Sequence, residues 1–123
     1  EIFDVVVGSN LFGDILTDIG AIISGSMGLA SSANLDPQKR YPSMFEPVHG
    51  SAPDIMGQGI ANPMAQILTG AMMLRHLGND DAALDIENAV TKLLESKDML
   101  TPDLGGTAST QQVGSAVVNA LGK

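Results

Sequence analysis

One long stretch decides how the sequence is organised: Phe45-Glu-Pro-Val-His-Gly-Ser-Ala-Pro-Asp-Ile-Met-Gly-Gln-Gly-Ile-Ala-Asn-Pro63. It is rich in glycine and proline and lies between segments with regular apolar spacing, which predicts a long functional loop. Gly57 and Gly59 resemble half of a dinucleotide fingerprint. The position of the next required glycine holds Asn62, however, and a loop rather than a strand precedes them. The fold is therefore predicted to lie outside the Rossmann class.

Helical patterns follow this stretch and also precede it. Downstream, Asn62 and Pro63 are typical of a helix start, and Gly78 is typical of a helix end. The predicted buried side of this helix holds Met64, Ile67, Leu68, Ala71, Met72 and Leu74, and Met73 beside Met72 is also predicted to lie in the core. Two further helices are predicted over residues 80–96 and 110–121. Upstream, Ser9 or Asn10 begins a helix that runs to about residue 24, with one apolar face made by Phe12, Ile15, Leu16, Ile19, Ile22 and Ile23.

Short extended segments complete the expected elements. Residues 2–7 form a β-branched run that predicts a buried strand, and residues 28–31 and 44–49 are predicted to be extended. A lone hydrophobic strand needs neighbours, so residues 2–7 indicate that the chain is a piece of a larger protein.

Composition narrows the possible functions. Of 123 residues, 44% are hydrophobic and 16% are charged, which favours a packed core over disorder. Asp plus Glu is 14 and Lys plus Arg is 6, and the resulting net charge of −8 argues against nucleic acid and anionic membranes as partners. The sequence contains no cysteine, which excludes thiol nucleophiles and disulfides and is typical of a cytoplasmic protein.

An acidic pair stands out on the first predicted helix. Asp14 and Asp18 are one turn apart on its polar side, in a stripe with Asn10 and Thr17. The first 38 residues contain no Lys, Arg or His, so no nearby base offsets the two charges. Two carboxylates at this spacing suit a hard divalent cation such as Mg²⁺ or Mn²⁺. A solvated helix face explains the same spacing, and both readings stay open on the residues alone.

The long loop carries its own candidate groups. His49, Gly50 and Ser51 offer a ring, a backbone open to close approach and a hydroxyl. The carboxylate of Asp54 follows a proline and suits hydrogen bonding to a ribose diol, while it would repel a 2′-phosphate. Structural alternatives are a histidine hydrogen-bonded at a strand end for His49 and a turn-forming carboxylate for Asp54.

Four segments together resemble the C-terminal third of the β-decarboxylating 2-hydroxyacid dehydrogenases, which include isopropylmalate, isocitrate, homoisocitrate and tartrate/D-malate dehydrogenases. The segments are Ser9-Asn-Leu-Phe-Gly-Asp-Ile-Leu-Thr-Asp18, Phe45-Glu-Pro-Val-His-Gly-Ser-Ala-Pro-Asp-Ile55, Gly59-Ile-Ala-Asn-Pro63 and Thr101-Pro-Asp-Leu-Gly-Gly-Thr107. They occur in the family's order and span almost the whole chain. The implied fold is α/β, the C-terminal portion of an isopropylmalate-dehydrogenase-like fold, mostly helices with a few strands here.

The resemblance implies roles for individual residues. Asp14 and Asp18 match two carboxylates that hold Mg²⁺ or Mn²⁺. The residues that match the nicotinamide-nucleotide loop are His49, Gly50, Ser51, Ala52, Asp54 and Asn62. Asp54 with Ile55 resembles the NAD-using branch, since NADP-using isocitrate dehydrogenases tend to carry Lys-Tyr there. Glu46 resembles a glutamate near the nicotinamide end.

The resemblance also implies what lies elsewhere. The family's substrate-binding arginines, catalytic tyrosine and lysine and third metal aspartate come from upstream segments, so no catalytic residue is expected in this chain. Residues 1–24 are expected to belong to the dimerisation and metal-site domain, and residues 25–123 to the nucleotide-side domain. The complete protein is expected to be a homodimer.

The expected activity is NAD- and divalent-metal-dependent oxidative decarboxylation of a small-molecule 2-hydroxy dicarboxylic acid. Residues 31–46 resemble the tartrate/D-malate type most, because isopropylmalate enzymes are usually shorter there. The alternatives are 3-isopropylmalate dehydrogenation and a non-catalytic fragment that binds nucleotide or associates with a partner.

Overall fold

The computed structural model describes residues 3–121, which fold into four helices and one hairpin. The helices are α1 (Asn10–Ile23), α2 (Met64–His76), α3 (Asp80–Ser96) and α4 (Thr110–Ala120). The strands are β1 (Ser31–Asn34) and β2 (Met44–Pro47), and single 3₁₀ turns lie at Met27–Leu29, Pro53–Ile55 and Pro102–Leu104. The predicted helices and the mostly helical character of the chain are confirmed.

The core lies where α2, α3 and α4 meet. Met64 of α2, Val90 of α3 and Val113 of α4 are its largest fully buried apolar side chains. Their cluster also contains Ala89, Leu93, Ala108 and Val117. Because each of these three helices contributes an apolar stripe to one centre, the arrangement is a helical layer with one shared core.

The hairpin packs against α2. Its two strands are antiparallel, with Ser31 opposite Pro47 and Ala33 opposite Phe45. The Phe45 ring lies 5.6 Å from the His76 ring, centroid to centroid, so β2 is anchored at the C-terminal end of α2. The predicted extended segment at 44–49 is therefore confirmed for its first four residues.

Asp36 organises the hairpin loop. Its carboxylate accepts hydrogen bonds from the backbone N–H groups of Gln38, Arg40 and Tyr41 at 3.0, 2.8 and 2.9 Å. The bond from Tyr41 is the largest influence on the Asp36 pKa, which lies below its ordinary value despite the opposing effect of desolvation. The segment that resembles the tartrate/D-malate type is thus an ordered turn.

Two predicted strands are wrong. Residues 3–7 form no strand and are exposed, because no other segment in the described part of the chain pairs with them; Ile2 lies outside the described residues. Residues 28–31 are not one extended piece, since Ser26 Oγ accepts a hydrogen bond from the Gly28 N–H at 2.9 Å and turns Met27–Leu29 into a 3₁₀ helix. The strand begins only at Ser31.

Helix α1 buries almost nothing. Ala21 is its only buried residue, and the predicted apolar face is exposed, from 47% at Ile15 to 80% at Ile23. Among residues 3–121, no helix has both the length and the apolar character that crossing a membrane requires.

Candidate functional site

The candidate site is the loop between β2 and α2, whose first half stands out from the body of the protein. Val48 N–H donates to the Ala30 carbonyl at 3.0 Å, which ends the hairpin and directs the chain into the loop. His49 is half-buried, and its Nδ1 lies 3.0 Å from the Gly50 carbonyl oxygen. A carbonyl oxygen only accepts, so Nδ1 carries the proton and Nε2 is left for another partner.

A left-handed turn presents Asp54. Ala52 has φ of 43°, a conformation that non-glycine residues adopt at a cost of about 1–2 kcal/mol. The 3₁₀ turn Pro53–Ile55 follows directly, and Gln58 Nε2 donates to the Asp54 carbonyl at 2.8 Å. Gly50, Ser51, Ala52 and Asp54 are all exposed, while Ile55 is half-buried. The loop therefore offers its carboxylate and hydroxyl to solvent or to a ligand.

The second half of the loop is fixed from behind by α4. Thr110 Oγ1 donates to the Ala61 carbonyl at 2.5 Å, and Thr110 N–H donates to the Gly59 carbonyl at 2.8 Å. These bonds seat residues 59–61 on the N-terminal end of α4. The sequence prediction assigned Thr110 only to a helix start and missed this contact.

Asn62 is held at both ends of its side-chain amide. Its Oδ1 accepts from the Met64 N–H at 3.0 Å and so satisfies one N-terminal donor of α2, although the N-cap position is held by Pro63 and not by Asn62 as predicted. Its Nδ2 donates to Asp103 Oδ2, also at 3.0 Å. Helix α2 begins at Met64, Pro63 directly precedes it with a backbone already in the helical region, and Asn62 lies one position further back.

Asp103 gathers three separate segments of the chain. Besides Asn62, Ser26 Oγ donates to its Oδ2 and Thr101 Oγ1 donates to its Oδ1, each at 2.5 Å. Desolvation raises the pKa of the Asp103 carboxyl, but its three hydrogen-bond donors outweigh that effect and hold the pKa below its ordinary value. The carboxylate therefore stays ionised, and the donors stay oriented, at neutral pH.

Gly28 completes this convergence because only glycine fits there. A Cβ at Gly28 would lie 2.7 Å from the Asn62 Cβ and 2.8 Å from Asp103 Oδ2. Both distances are closer than real side chains approach. We call the contact between Ser26, Gly28, Asn62, Thr101 and Asp103 the Asp103 junction.

The predicted metal pair lies on α1. Asp14 and Asp18 are both exposed, and Asn10 Nδ2 donates to Asp14 Oδ2 at 3.4 Å. Thr17 Oγ1 donates a hydrogen bond to the Asp14 backbone carbonyl at 3.1 Å. Within residues 3–121, no group of three or more His, Cys, Asp or Glu side chains is arranged to hold a metal ion. The two carboxylates suit a hard cation, but they supply only part of a coordination shell.

The structure brings some predicted residues together and separates others. Residues 49–55 share one exposed loop, and Glu46 precedes them on β2, exposed and opposite Ser32. Asn62 lies at the other end of the loop, in the Asp103 junction. The sequence prediction gave Asp103 no role, although the segment Thr101–Thr107 that contains it was recognised as one of the four matching motifs.

The fold is a helical layer outside the Rossmann class, and it carries an ordered loop that exposes the carboxylate of Asp54 and the hydroxyl of Ser51. The chain belongs to the isocitrate/isopropylmalate dehydrogenase family, whose model matches residues 1–117. The resemblance recognised in the sequence is confirmed.

Individual relatives agree with this assignment. A probable tartrate dehydrogenase/decarboxylase of Agrobacterium vitis is 54% identical over 98% of this chain and 33% of its own length. A 3-isopropylmalate dehydrogenase of Corynebacterium jeikeium is 56% identical over 97% of this chain and 33% of its own length. The chain thus spans about one third of these curated relatives.

A solved structure confirms the fold. The crystal structure of isocitrate dehydrogenase from Methylococcus capsulatus matches with a TM-score of 0.87 and 46% identity, over 93% of this chain and 33% of that one. The expected fold, a portion of an isopropylmalate-dehydrogenase-like structure, is therefore correct.

Proposed function

We propose that the protein carrying this chain catalyses the NAD-dependent, divalent-metal-dependent oxidative decarboxylation of a 2-hydroxy dicarboxylic acid of the tartrate/D-malate type. The single observation that carries the proposal is the family membership over residues 1–117. The exposed loop at residues 46–62 and the paired carboxylates of α1 are the features of this chain that fit it.

The loop supports the nucleotide half of the proposal. A dinucleotide offers ribose hydroxyls, phosphates and a purine, and the loop offers a carboxylate, a hydroxyl, an imidazole and exposed backbone. In this proposal Asp54 accepts hydrogen bonds from the ribose diol. Its charge disfavours a 2′-phosphate, which supports NAD over NADP. Glu46, Ile55 and the residues between them line the nucleotide, with Asn62 at the far end of the loop.

The acidic pair supports the metal half. Asp14 and Asp18 are exposed and lie one turn apart, and their carboxylates supply the oxygen donors that Mg²⁺ and Mn²⁺ prefer. A bound divalent cation would act as a Lewis acid on the substrate's hydroxyl and neighbouring carboxylate. Asp14 and Asp18 would supply two of its ligands, and a third carboxylate would come from the partner subunit.

The proposal concerns the complete protein. Bound NAD⁺ would supply the hydride acceptor for oxidation at C2, which also releases a proton, and the β-carboxylate would leave as CO₂ before the product is protonated. We propose that the arginines, tyrosine and lysine for these steps lie in other segments of a homodimer. The lack of cysteine supports a cytoplasmic location.

A second substrate is favoured by one observation. The relative from Corynebacterium jeikeium, a 3-isopropylmalate dehydrogenase, is as similar to this chain as the tartrate-type relatives are. The ordered hairpin loop around Asp36 lies within the segment that favours the tartrate/D-malate type. The whole protein must therefore be compared on both substrate types.

The test is a substrate comparison with the full-length protein. Formation of NADH or NADPH is measured with D-malate, tartrate and 3-isopropylmalate, each with Mn²⁺ and either NAD⁺ or NADP⁺. We expect the highest kcat/KM with D-malate or tartrate and NAD⁺. A preference for 3-isopropylmalate would select the second candidate, and no turnover with any of the three, together with no NAD⁺ binding by calorimetry, would refute the function.

The metal assignment is tested in the same protein. Asp14→Asn or Asp18→Asn should raise the Mn²⁺ concentration needed for half-maximal activity at least tenfold. Asp81→Asn, an exposed aspartate in the first turn of α3, is the matched control and should leave it unchanged.

A further inference from the structure

The turn that presents Asp54 is closed by hydrogen bonds within the loop. Three of its carbonyl oxygens accept backbone N–H groups, at 3.1, 3.3 and 3.2 Å: those of Ala52, Pro53 and Ile55. The Asp54 carbonyl accepts the Gln58 side chain instead, from Nε2 at 2.8 Å. Because a carbonyl oxygen only accepts, this contact needs an N–H donor on the side chain at position 58.

Two glycines allow the chain at Gln58 to turn back toward Asp54. Gly57 and Gly59, on either side of Gln58, have φ of 77° and 69°. A Cβ at either glycine would meet no atom within 4 Å among residues 3–121 beyond its own chain neighbours. The left-handed backbone, and not a lack of space, therefore favours glycine at both positions.

Gln58 also lies next to the part of the loop that α4 holds in place. The Thr110 N–H donates to the carbonyl of Gly59, the residue directly after Gln58, at 2.8 Å. Thr110 Oγ1 donates to the Ala61 carbonyl two residues further on. Asp54 lies in the exposed half of the loop. The Gln58 amide therefore connects the exposed turn to the segment that is fixed on α4.

We infer that Gln58 is a positioning residue for cofactor binding: by bonding the Asp54 carbonyl, it holds the turn in the conformation in which the Asp54 carboxylate meets the adenosine ribose. The inference rests on the proposed function, because the direction of Asp54 matters only if the loop holds the nucleotide. Gln58 acts through Asp54 and not by a contact of its own with the cofactor. Without this bond the turn adopts other conformations as well, and the apparent affinity falls with the population of the binding-competent one.

The experiment compares two dinucleotides in the full-length protein: NAD⁺ and its analogue that lacks the 2′-hydroxyl of the adenosine ribose. Gln58→Met keeps the length of the side chain and removes the donor, and Gln58→Glu replaces the donor with an acceptor. The matched controls, Gln38→Met and Gln38→Glu, make the same changes at an exposed glutamine whose backbone N–H bonds Asp36. Binding constants are measured by calorimetry, and kcat, KM and thermal unfolding are recorded for every variant.

For Gln58→Met we expect the Kd and KM of NAD⁺ to rise about three- to fivefold, the effect of one lost neutral hydrogen bond, with kcat within about twofold. The preference for NAD⁺ over the 2′-deoxy analogue should fall by a similar factor, because the displaced carboxylate no longer distinguishes the hydroxyl. Gln58→Glu should change both quantities further, since its carboxylate repels the Asp54 carbonyl. The Gln38 variants should match the unmodified protein. Because Gln58 is exposed, its variants should fold, which thermal unfolding checks.

A double-mutant cycle with Asp54→Ala, which removes the carboxylate and keeps the carbonyl, separates positioning from an independent contact. If Gln58 acts through Asp54, then Gln58→Met should add little to the loss of NAD⁺ affinity in the Asp54→Ala protein. Fully additive losses, or a preference between the two dinucleotides that is unchanged in both Gln58 variants, would overturn the inference. In that case a lower preference in Asp54→Ala would show that the proposed function stands, whereas no NAD⁺ binding by the unmodified protein would overturn both.

Discussion

Ser26 Oγ donates a 2.5 Å hydrogen bond to Asp103 Oδ2, although 77 residues separate the two in sequence. The same carboxylate oxygen accepts from Asn62, so the turn after α1, the end of the long loop and the turn before α4 meet at one atom. A single carboxylate therefore links the segment that follows the acidic helix to the candidate nucleotide loop.

This carboxylate predicts how stability changes with pH. The folded-state pKa of Asp103 is lowered, so its contribution is present above the unfolded pKa of about 3.9 and is lost as pH falls through the lower folded value. Asp103→Asn should thus destabilise the protein at pH 6, and the difference from the unmodified protein should shrink on going to about pH 3. Urea unfolding midpoints at several pH values measure this.

The matched control for the pH experiment is Asp81→Asn, whose midpoint should follow the unmodified protein at every pH. A difference between Asp103→Asn and the unmodified protein that stays constant from pH 6 to 3 would contradict the predicted charge effect.

Local sequence signals predicted the elements that local interactions determine. Asp80–Ser96 forms a helix over the predicted residues, and Gly78, with φ of 88°, follows the end of α2 as expected. The strand predicted from residue 2 to residue 7 failed because a strand depends on partners elsewhere in space. Met73, expected in the core beside Met72, is 40% exposed because the hairpin and α3 cover other sides of α2.

The candidate site likewise contains one part that the sequence predicted and one part that it did not. Motif resemblance assigned the loop residues from His49 to Asn62, and the structure orders them in one connected loop. The Asp103 junction could not be predicted, since its bonds span from 2 to 77 residues and depend on how α1, α2 and α4 pack. The sequence offered one signal for this junction: the segment Thr101–Thr107, which contains Asp103, resembles the family, but no role was assigned to its residues.

The N-terminal cap of α4 predicts a measurable stability difference. Ser109 Oγ accepts from the Gln112 N–H at 3.2 Å, and Gln112 Oε1 accepts from the Ser109 N–H at 2.8 Å, a complete capping box. Ser109→Ala should lower the free energy of unfolding by about 1 kcal/mol. Ser115→Ala, an exposed position within the same helix, is the control and should change it by less than about 0.5 kcal/mol. Equal effects of both would show that the cap contributes nothing.

The different burial of two methionines predicts different losses of stability when each is replaced by alanine. Met64 is fully buried between α2, α3 and α4, whereas Met56 is 71% exposed in the loop. Met64→Ala should lower the free energy of unfolding by roughly 2–5 kcal/mol, because it removes buried methylene groups and leaves a cavity. Met56→Ala should change it by less than about 0.5 kcal/mol. Urea unfolding of the full-length protein measures both, and a small effect at Met64 would place the core elsewhere.

Cofactor choice should depend on the Asp54 charge. In the proposed site, Asp54→Lys would remove the hydrogen-bond acceptor for the ribose diol and add a charge that attracts a 2′-phosphate. We expect the KM of NAD⁺ to rise about tenfold and the ratio of NAD⁺ to NADP⁺ efficiency to fall by more, since charge-assisted contacts are the stronger ones. For Asp54→Asn, both the KM of NAD⁺ and the efficiency ratio should lie between those of the unmodified protein and those of Asp54→Lys. Asp81→Lys makes the same charge change on α3, and an equal shift there would mean that net charge, not the loop, sets the preference.

The exposed face of α1 predicts self-association. Leu16 and Ile19 are 58% and 52% exposed, and their apolar neighbours along the helix are exposed too. Contiguous apolar surface of this kind is usually covered by another surface. Because residues 1–24 resemble the family's dimerisation domain, we propose that a second copy of the complete protein covers it. Leu16→Asp would place a carboxylate in that interface, and the dissociation constant of the dimer should rise about a hundredfold or more. Sedimentation at micromolar concentration measures this dissociation constant.

The control, Leu84→Asp, makes the same change at a 51% exposed leucine on α3 and should leave the dimer intact. A monomeric unmodified protein, or a dimer that Leu16→Asp does not weaken, would show that this face is covered by something other than a second copy.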